Sequence, residues 1–497
     1  MRLSGILLPI SALPSRWGIG AFDRCAYEFA DKLAAAGQGV WQILPLGPTG
    51  YADSPYQAFS AYAGNPYFIS LDALIERGLL RESEAAALGW GDDPRRVDYG
   101  LLYQNRLQLL RTAHSRADAR LLDAVAAFTR ANAGWLPDYA LYMAVKSASG
   151  MRPWNEWADE DIKLRRHGAV ERCREAFADE TAFHCFVQYL FFEQWAALKR
   201  YVNSRGILIV GDLPIYVSLD SSDVWAHREL FQLDRDGTPT RVAGVPPDYF
   251  TADGQLWGNP LYRYDVMERD GYSWWLDRLR ACAERYDVTR FDHFRGLDSY
   301  WSVPYGETTA RGGEWVTGPG KGFVDAIRRA LPHMRIIAED LGYLTDSVRE
   351  LLDYSGFPGM KVLQFAFDGS GSGADNAYLP HMYDSNCVCY TGTHDNVPVR
   401  AFPAHAAQDA LSFAAAYLDC QPSEIPGKLL RAGMASVAEL FVAQMQDYLM
   451  LGEEARMNAP ATSEGNWVWR MAPDDFSDEL VGRIAELTEL YGRRRPS

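Results

Sequence analysis

A chain of 497 residues, 48% hydrophobic and 23% charged, has ordinary globular composition and the length for a large core. Its 65 acidic and 49 basic residues leave a formal charge of −16, which argues against tracking nucleic-acid phosphates and against binding anionic membrane surfaces. Seven cysteines scattered between positions 25 and 420 form no disulfide framework, and a reducing cytoplasm fits them. The 15 Trp and 27 Tyr are harder to place. On count alone, extra core bulk and flat faces for packing on pyranose rings are equal readings.

Taken in chain order, MRLSGILLPISALPS has an apolar run broken by Pro9 and followed by a helical pattern over 23–37. This predicts a first barrel strand rather than a leader peptide. No run of 18 apolar residues predicts a membrane span. Residues 70–180 read as largely helical and polar-faced, without buried strands. Phe183, Val187, Leu190, Phe191, Gln194 and Leu198 then share one helix face, stopping near Gly206, and an apolar strand follows over 207–210. Residues 214–272, rich in Pro, Gly, Asp and aromatics, read as long loops over a mouth. Trp275, Leu276, Leu279 and Ala283 mark another helix before a strand over 288–291. Helices at 323–331 and 346–354 lead into strands at 335–338 and 360–367, and a last strand spans 388–391. Cys387 and Cys389 are expected on opposite sides of that strand. The GSGSG stretch (369–373) reads as a flexible loop and RRRPS as a solvated tail.

Helices alternating with short, wholly apolar strands predict a parallel sheet buried on both faces. Asp212, Asp292, Glu339 and Asp395 each follow such a strand. The predicted fold is therefore an α/β (β/α)8 TIM barrel in one unit over 1–497, with a helical insertion at 70–180 and an aromatic-rich one at 214–272. In that fold all strand ends meet at one catalytic mouth. An open doubly wound sheet, which also gathers strand ends, is the alternative.

In RFDHFRG (290–296), Arg290, His293 and Arg295 surround Asp292, and nearby cations would keep it ionised as a nucleophile requires. The plain alternative is an interior salt bridge. In AEDLG (338–342), Glu339 and Asp340 would raise each other's pKa, which suits a general acid, unless they are only an acidic pair opening a helix. In TGTHDN (391–396), His394 and Asp395 could bind vicinal hydroxyls or cap a loop. Together the three acids suit retaining glycoside chemistry, in which nucleophile and acid/base lie about 5–5.5 Å apart. A metal site built from Asp292, His293, His394 and Asp395 is a weaker reading, because adjacent residues on a strand point in opposite directions.

These blocks, with GDLPIYV (211–217), WQILPLGPTG (41–50), DSPYQAFSAYAGNP (53–66), PPDYFTADGQLWGNP (246–260) and RMNAP (456–460), resemble the amylomaltases, 4-α-glucanotransferases of the α-amylase clan. The resemblance spans nearly the whole chain. It implies Asp292 as nucleophile, Glu339 as acid/base and Asp395 as transition-state stabiliser. It further implies that Arg290 orients Asp292, that His394 binds hydroxyls, and that Asp212 and Tyr56 line the same subsite, Tyr56 as a stacking platform. Asp248, Tyr249, Phe250 and Trp257 would overhang the acceptor side, with His293 and Asp340 completing the substrate-binding set. The family uses no cofactor and needs no metal for catalysis. The implied substrates are maltooligosaccharides and α-1,4-glucans, with glucose as an acceptor. Rival readings are an α-amylase-like hydrolase using the same carboxylates and a non-catalytic glucan-binding barrel. Two departures from the family pattern are visible: the RMN block usually continues with Pro-Gly, whereas Ala461 follows Pro460 here, and YAD (51–53) replaces a glycine-rich turn.

Overall fold

Eight short strands, each flanked by apolar packing on both sides, carry the architecture. The computed structural model describes residues 2–247, 252–342, 344–369, 373–460, 462 and 464–494. In chain order its strands are β1 (Leu3–Leu7), β2 (Val40–Gln42), β3 (Leu208–Leu213), β4 (Arg241–Val245), β5 (Gln255–Pro260) and β6 (Val288–Phe291). They continue with β7 (Ser299–Pro304), β8 (Glu314–Thr317), β9 (Ile336–Ala338), β10 (Gly359–Val362), β11 (Cys387–Tyr390) and β12 (Leu440–Gln444). One sheet runs β10-β11-β12-β1-β2-β3-β6-β9, all parallel. Its two edges approach each other, the Ala338 N–H donating to Pro358 O at 2.9 Å. The result is a nearly closed (β/α)8 barrel.

Side chains from all eight strands fill its interior: Leu7, Val40, Val210, Val288, Ile337, Met360, Val362, Val388, Tyr390, Leu440 and Val442 pack as one buried cluster. The alternate residues face the helices, which is why these strands lack a polar side and read as continuous apolar runs. Strand β11 shows the alternation and corrects one expectation. Cys387 and Cys389 both belong to the outer cluster, while Val388 and Tyr390 point inward. Residues two apart on a strand share a face.

Between β2 and β3 lie helices that include Tyr99–Ser115, Ala119–Ala131, Leu136–Ala148 and the 27-residue Ala178–Ser204. The stretch 214–272, read from sequence as loops, contains two strands. β4 pairs antiparallel with β5 and β7, and β8 completes a four-stranded sheet in the order β5-β4-β7-β8. Glycine and proline in 241–260 masked that pattern. The apolar run 360–367 is strand only to Val362. It then turns through Leu363–Ala366, held by the Gln364 amide donating to Val397 O. Among the described residues no helix is long and apolar enough to cross a membrane.

Candidate active site

Strand register brings the acids together. Parallel pairing sets Asp212 of β3 beside Arg290 of β6. It also sets Phe291 of β6 beside Ala338 of β9, so the residues that follow them, Asp292 and Glu339, leave the sheet at the same level. Backbone bonds fix both exits: the Asp292 N–H donates to Leu213 O and the Glu339 N–H to Phe291 O, each at 3.0 Å. His293 then takes a left-handed conformation, φ 51°, and its N–H donates to the Glu339 carboxylate.

Arg290 is the hub. Its Nη1 donates to both Asp212 oxygens at 2.7 and 2.8 Å and to Asp292 Oδ1 at 3.0 Å, while Nη2 lies 3.8 Å from Glu339 Oε2. Exposure separates the partners: the Asp212 side chain is 0% exposed, Arg290 3%, Glu339 13% and Asp292 24%. Only Glu339 and Asp292 of this group open toward the cleft. Asp212, expected to line a sugar subsite, instead lies sealed beneath Arg290 and Tyr56.

One guanidinium faces three carboxylates, too little charge to offset the burial of Asp292 and Glu339. Burial raises Asp292 to about 7, opposed by Arg290 and reinforced by Asp212 and Asp395. Burial likewise raises Glu339 to about 8, opposed by Arg290 and reinforced by Asp292. The sequence reading had cations alone holding Asp292 ionised; here desolvation and neighbouring acids outweigh them. The two groups titrate as a pair. Because Arg290 holds Asp292 more closely than Glu339, a single shared proton resides on Glu339. The same three acids keep Arg290 charged, its pKa raised well above the ordinary value despite burial.

Asp340 does not take part. Its Oδ1 accepts from the Met360 N–H at 2.6 Å, and a Cβ on Gly359 would stand 2.8 Å from its other oxygen. It is 5% exposed and tied to the start of β10. Neighbours in an extended chain point to opposite sides, so Asp340 neither meets the cleft nor supplies the charge that raises Glu339.

The third acid approaches from the opposite wall. Asp395 is 41% exposed, and its Oδ1 lies 3.4 Å from His394 Nε2. The Asn458 amide donates to the same Oδ1 at 2.6 Å, and Arg456 Nη2 donates to the Asp395 carbonyl at 2.9 Å. Asn458 and Arg456 sit in RMNAP, quoted from sequence only as a block. Nothing in the sequence linked them to a residue 63 positions away. The Tyr56 hydroxyl donates to Asp212 Oδ2 at 2.8 Å and accepts from His394 Nε2 at 2.9 Å, so this nitrogen of His394 carries the proton. The Tyr56 ring stacks on His394 with centroids 5.3 Å apart and planes at 18°, leaving that face unavailable to a sugar. Trp467, also unanticipated, packs 5.8 Å from both rings.

Trp257 meets His293 edge to face at 4.9 Å. Burial and Arg295 push His293 down to about 3, and burial lowers His394, so both imidazoles are neutral hydrogen-bond donors. Asp248, Tyr249 and Phe250 lie outside the described residues.

A nearly closed parallel barrel with two carboxylates sharing an arginine at its mouth fits a class: barrel enzymes that act through paired carboxylates. The comparisons narrow it. Residues 8–475 match the model of the 4-α-glucanotransferase family, glycoside hydrolase family 77. A 4-α-glucanotransferase from Clostridium butyricum is 45% identical over 97% of this chain and 99% of its own. One from Thermus thermophilus is 46% identical over 99% of each. The amylomaltase of Streptococcus agalactiae in complex with acarbose superposes with a TM-score of 0.97 at 38% identity, covering 100% of both chains. The chain belongs to the 4-α-glucanotransferase family.

Proposed function

We propose that the chain moves α-1,4-glucan segments between maltooligosaccharides by double displacement, with Asp292 as nucleophile, Glu339 as acid/base and Asp395 as the stabilising third acid. The observation that carries this reading is the shared Arg290, which favours an ionised Asp292 beside a protonated Glu339. Glu339 protonates the glycosidic oxygen while Asp292 attacks the anomeric carbon, and the 4-OH-ended fragment departs. The 4-OH of another glucan, or of glucose, then gives its proton to Glu339 and displaces Asp292, with net retention.

Asp212 and Tyr56 act beneath the cleft: Asp212 anchors Arg290, and Tyr56 fixes the tautomer of His394. His394, buried and with its Nε2–H held by Tyr56, backs Asp395, whose exposed oxygens suit adjacent hydroxyls of the bound glucose. Seven free thiols support a reducing compartment.

Incubation with maltotriose tests the reaction. Transfer yields glucose together with longer oligomers and leaves total reducing ends constant. A steady rise in reducing ends without longer products would establish hydrolysis and overturn the proposal.

A further inference from the structure

Away from the carboxylates, a cavity of about 490 Å³ opens where residues 232–240 and 262–265 meet β7 and β8. That volume lies within the ~300–1,000 Å³ of small-ligand sites. Tyr264 and Tyr300 stand in its wall with ring centroids 6.0 Å apart and planes at 57°. Among the described residues the buried Tyr264 hydroxyl has no hydrogen-bond partner. Gln232 approaches the Tyr300 hydroxyl at 3.5 Å, and Thr240 is exposed at the rim. Beside it the Tyr305 N–H donates to Thr240 O at 3.2 Å, which ties a tyrosine that is 49% exposed to the mouth.

The chemistry of this lining selects a ligand class. Its charged groups, Arg263 and Asp265, have opposite signs and lie 3.7 Å apart, so there is no net attraction for an anion or a cation. What remains is the partly exposed Tyr264 ring, with Tyr300 and Tyr262 buried behind it, next to amide and hydroxyl groups, which suits a neutral polyol ring with an apolar face. A series of ring contacts links the cavity to the cleft. Packed rings run from Tyr264 through Tyr262 and Tyr216 to Trp257, which touches His293.

We propose that this cavity is a second carbohydrate site, holding glucose units of an α-1,4-glucan whose other end lies in the catalytic cleft. This rests on the proposed glucan reaction and adds a point of attachment available only to long chains. A chain held at two places gains effective concentration at the second, so affinity rises for polymers and not for short oligomers.

The test uses Thr240→Trp, which fills the cavity from its rim, and Tyr305→Ala, a surface change that leaves the core untouched. The expected result is an increase in KM for amylose of about tenfold in Thr240→Trp and a smaller one in Tyr305→Ala. For maltotriose, kcat and KM should stay at wild-type values in both. In an Asp292→Asn background, calorimetry with maltoheptaose should show two ligands per chain, falling to one when Thr240→Trp is added. Equal KM for amylose in all three proteins, or a single ligand in the Asp292→Asn protein, would overturn the second site. If the unsubstituted chain leaves maltotriose unchanged, the glucan reaction itself falls, and this site with it.

Discussion

Asp212 and Arg290, 78 positions apart in sequence, form an ion pair of 2.7 Å with 0% and 3% of their side chains exposed. Neither reaches the cleft, yet Arg290 also holds the two acids that do. Arg290 has one positive charge to divide among Asp212, Asp292 and Glu339. Asp212 takes the closest share, leaving Asp292 and Glu339 partly uncompensated.

Replacing Asp212 by Asn keeps an acceptor for Tyr56 but removes that competing charge. Asp212 is among the causes that raise Asp292 and is not a leading cause for Glu339. The acid limb of kcat/KM should therefore move to lower pH, and further than the alkaline limb. Breaking the buried pair should also cost about 3 kcal/mol of stability. An unmoved acid limb in a folded variant would show that Asp212 does not set the protonation of Asp292.

A pH dependence of stability follows from the raised carboxyls. Asp292 has an ordinary value of 3.8 and a folded value of about 7. Between those values the unfolded chain has released its proton and the folded chain has kept it. The associated stability is thus fully present below pH 3.8 and lost as pH rises through 7. In Asp292→Asn that loss disappears. From pH 4 to pH 7 the variant should gain on the wild type by an amount on the order of 2 kcal/mol, discounted for the side-chain surface that stays accessible. Parallel denaturation curves over that range would refute the raised pKa.

Asn458 acts through Asp395. Its amide, 2.6 Å from Oδ1, fixes the carboxylate against the His394 side of the cleft. Asn458→Ala should lower kcat by about tenfold to a hundredfold, because misplacement of a reacting group by 1 Å costs that order. KM and thermal stability should change little. A rise in KM at constant kcat would assign Asn458 to substrate binding instead.

The barrel was legible because its strands are apolar throughout and end in acids. RFDHFRG and AEDLG pointed to the two carboxylates that the fold gathers around Arg290. What the sequence could not show is direction. Glu339 and Asp340 are adjacent and equally acidic, and only the register of β9 against β6 and β10 turns one to the cleft and the other to Met360. Asp212 read as a sugar ligand because nothing local reveals that Tyr56 and Arg290 close over it. The reach of RMNAP to Asp395 is a tertiary contact with no local signal. Strands β4 and β5 were hidden by turn-forming residues that favour loops in isolation.

One departure from the family pattern has a visible backbone consequence. Ala52 and Asp53, standing where a glycine-rich turn is usual, both have positive φ, 52° and 56°. For Ala the left-handed region costs about 1–2 kcal/mol. Ala52→Gly removes that cost and loses about 0.4–1 kcal/mol to greater freedom in the unfolded chain. The net expected gain is about 0.5 kcal/mol, whereas Ala52→Val should lose more than 1 kcal/mol, roughly, since a β-branched residue fits that region worst. Denaturant midpoints of the two variants on either side of wild type would bear this out. Both falling below it would not.

Transfer must also outcompete water. Water is present at about 55 M against millimolar acceptor, a gap of roughly 10⁴, which corresponds to about 5–6 kcal/mol of partitioning. Holding the acceptor in register can supply that much, since oriented groups reach very high effective molarities. Trp257 is placed to contribute: its ring edge meets His293 at 4.9 Å, one residue from Asp292, and its indole N–H is pinned by Gln255 Oε1 at 3.1 Å. The proposed role for that ring is to cover the Asp292 side of the cleft and to offer an apolar face to an incoming glucose. Trp257→Ala should leave cleavage of maltotriose within a few-fold of wild type while lowering the ratio of transfer to hydrolysis by about tenfold to a hundredfold, or 1.4 to 2.7 kcal/mol. The measurement is the ratio of longer oligomers to new reducing ends at early times. A variant that slows both outcomes equally would place Trp257 in donor binding rather than in keeping water from the glucosyl-enzyme.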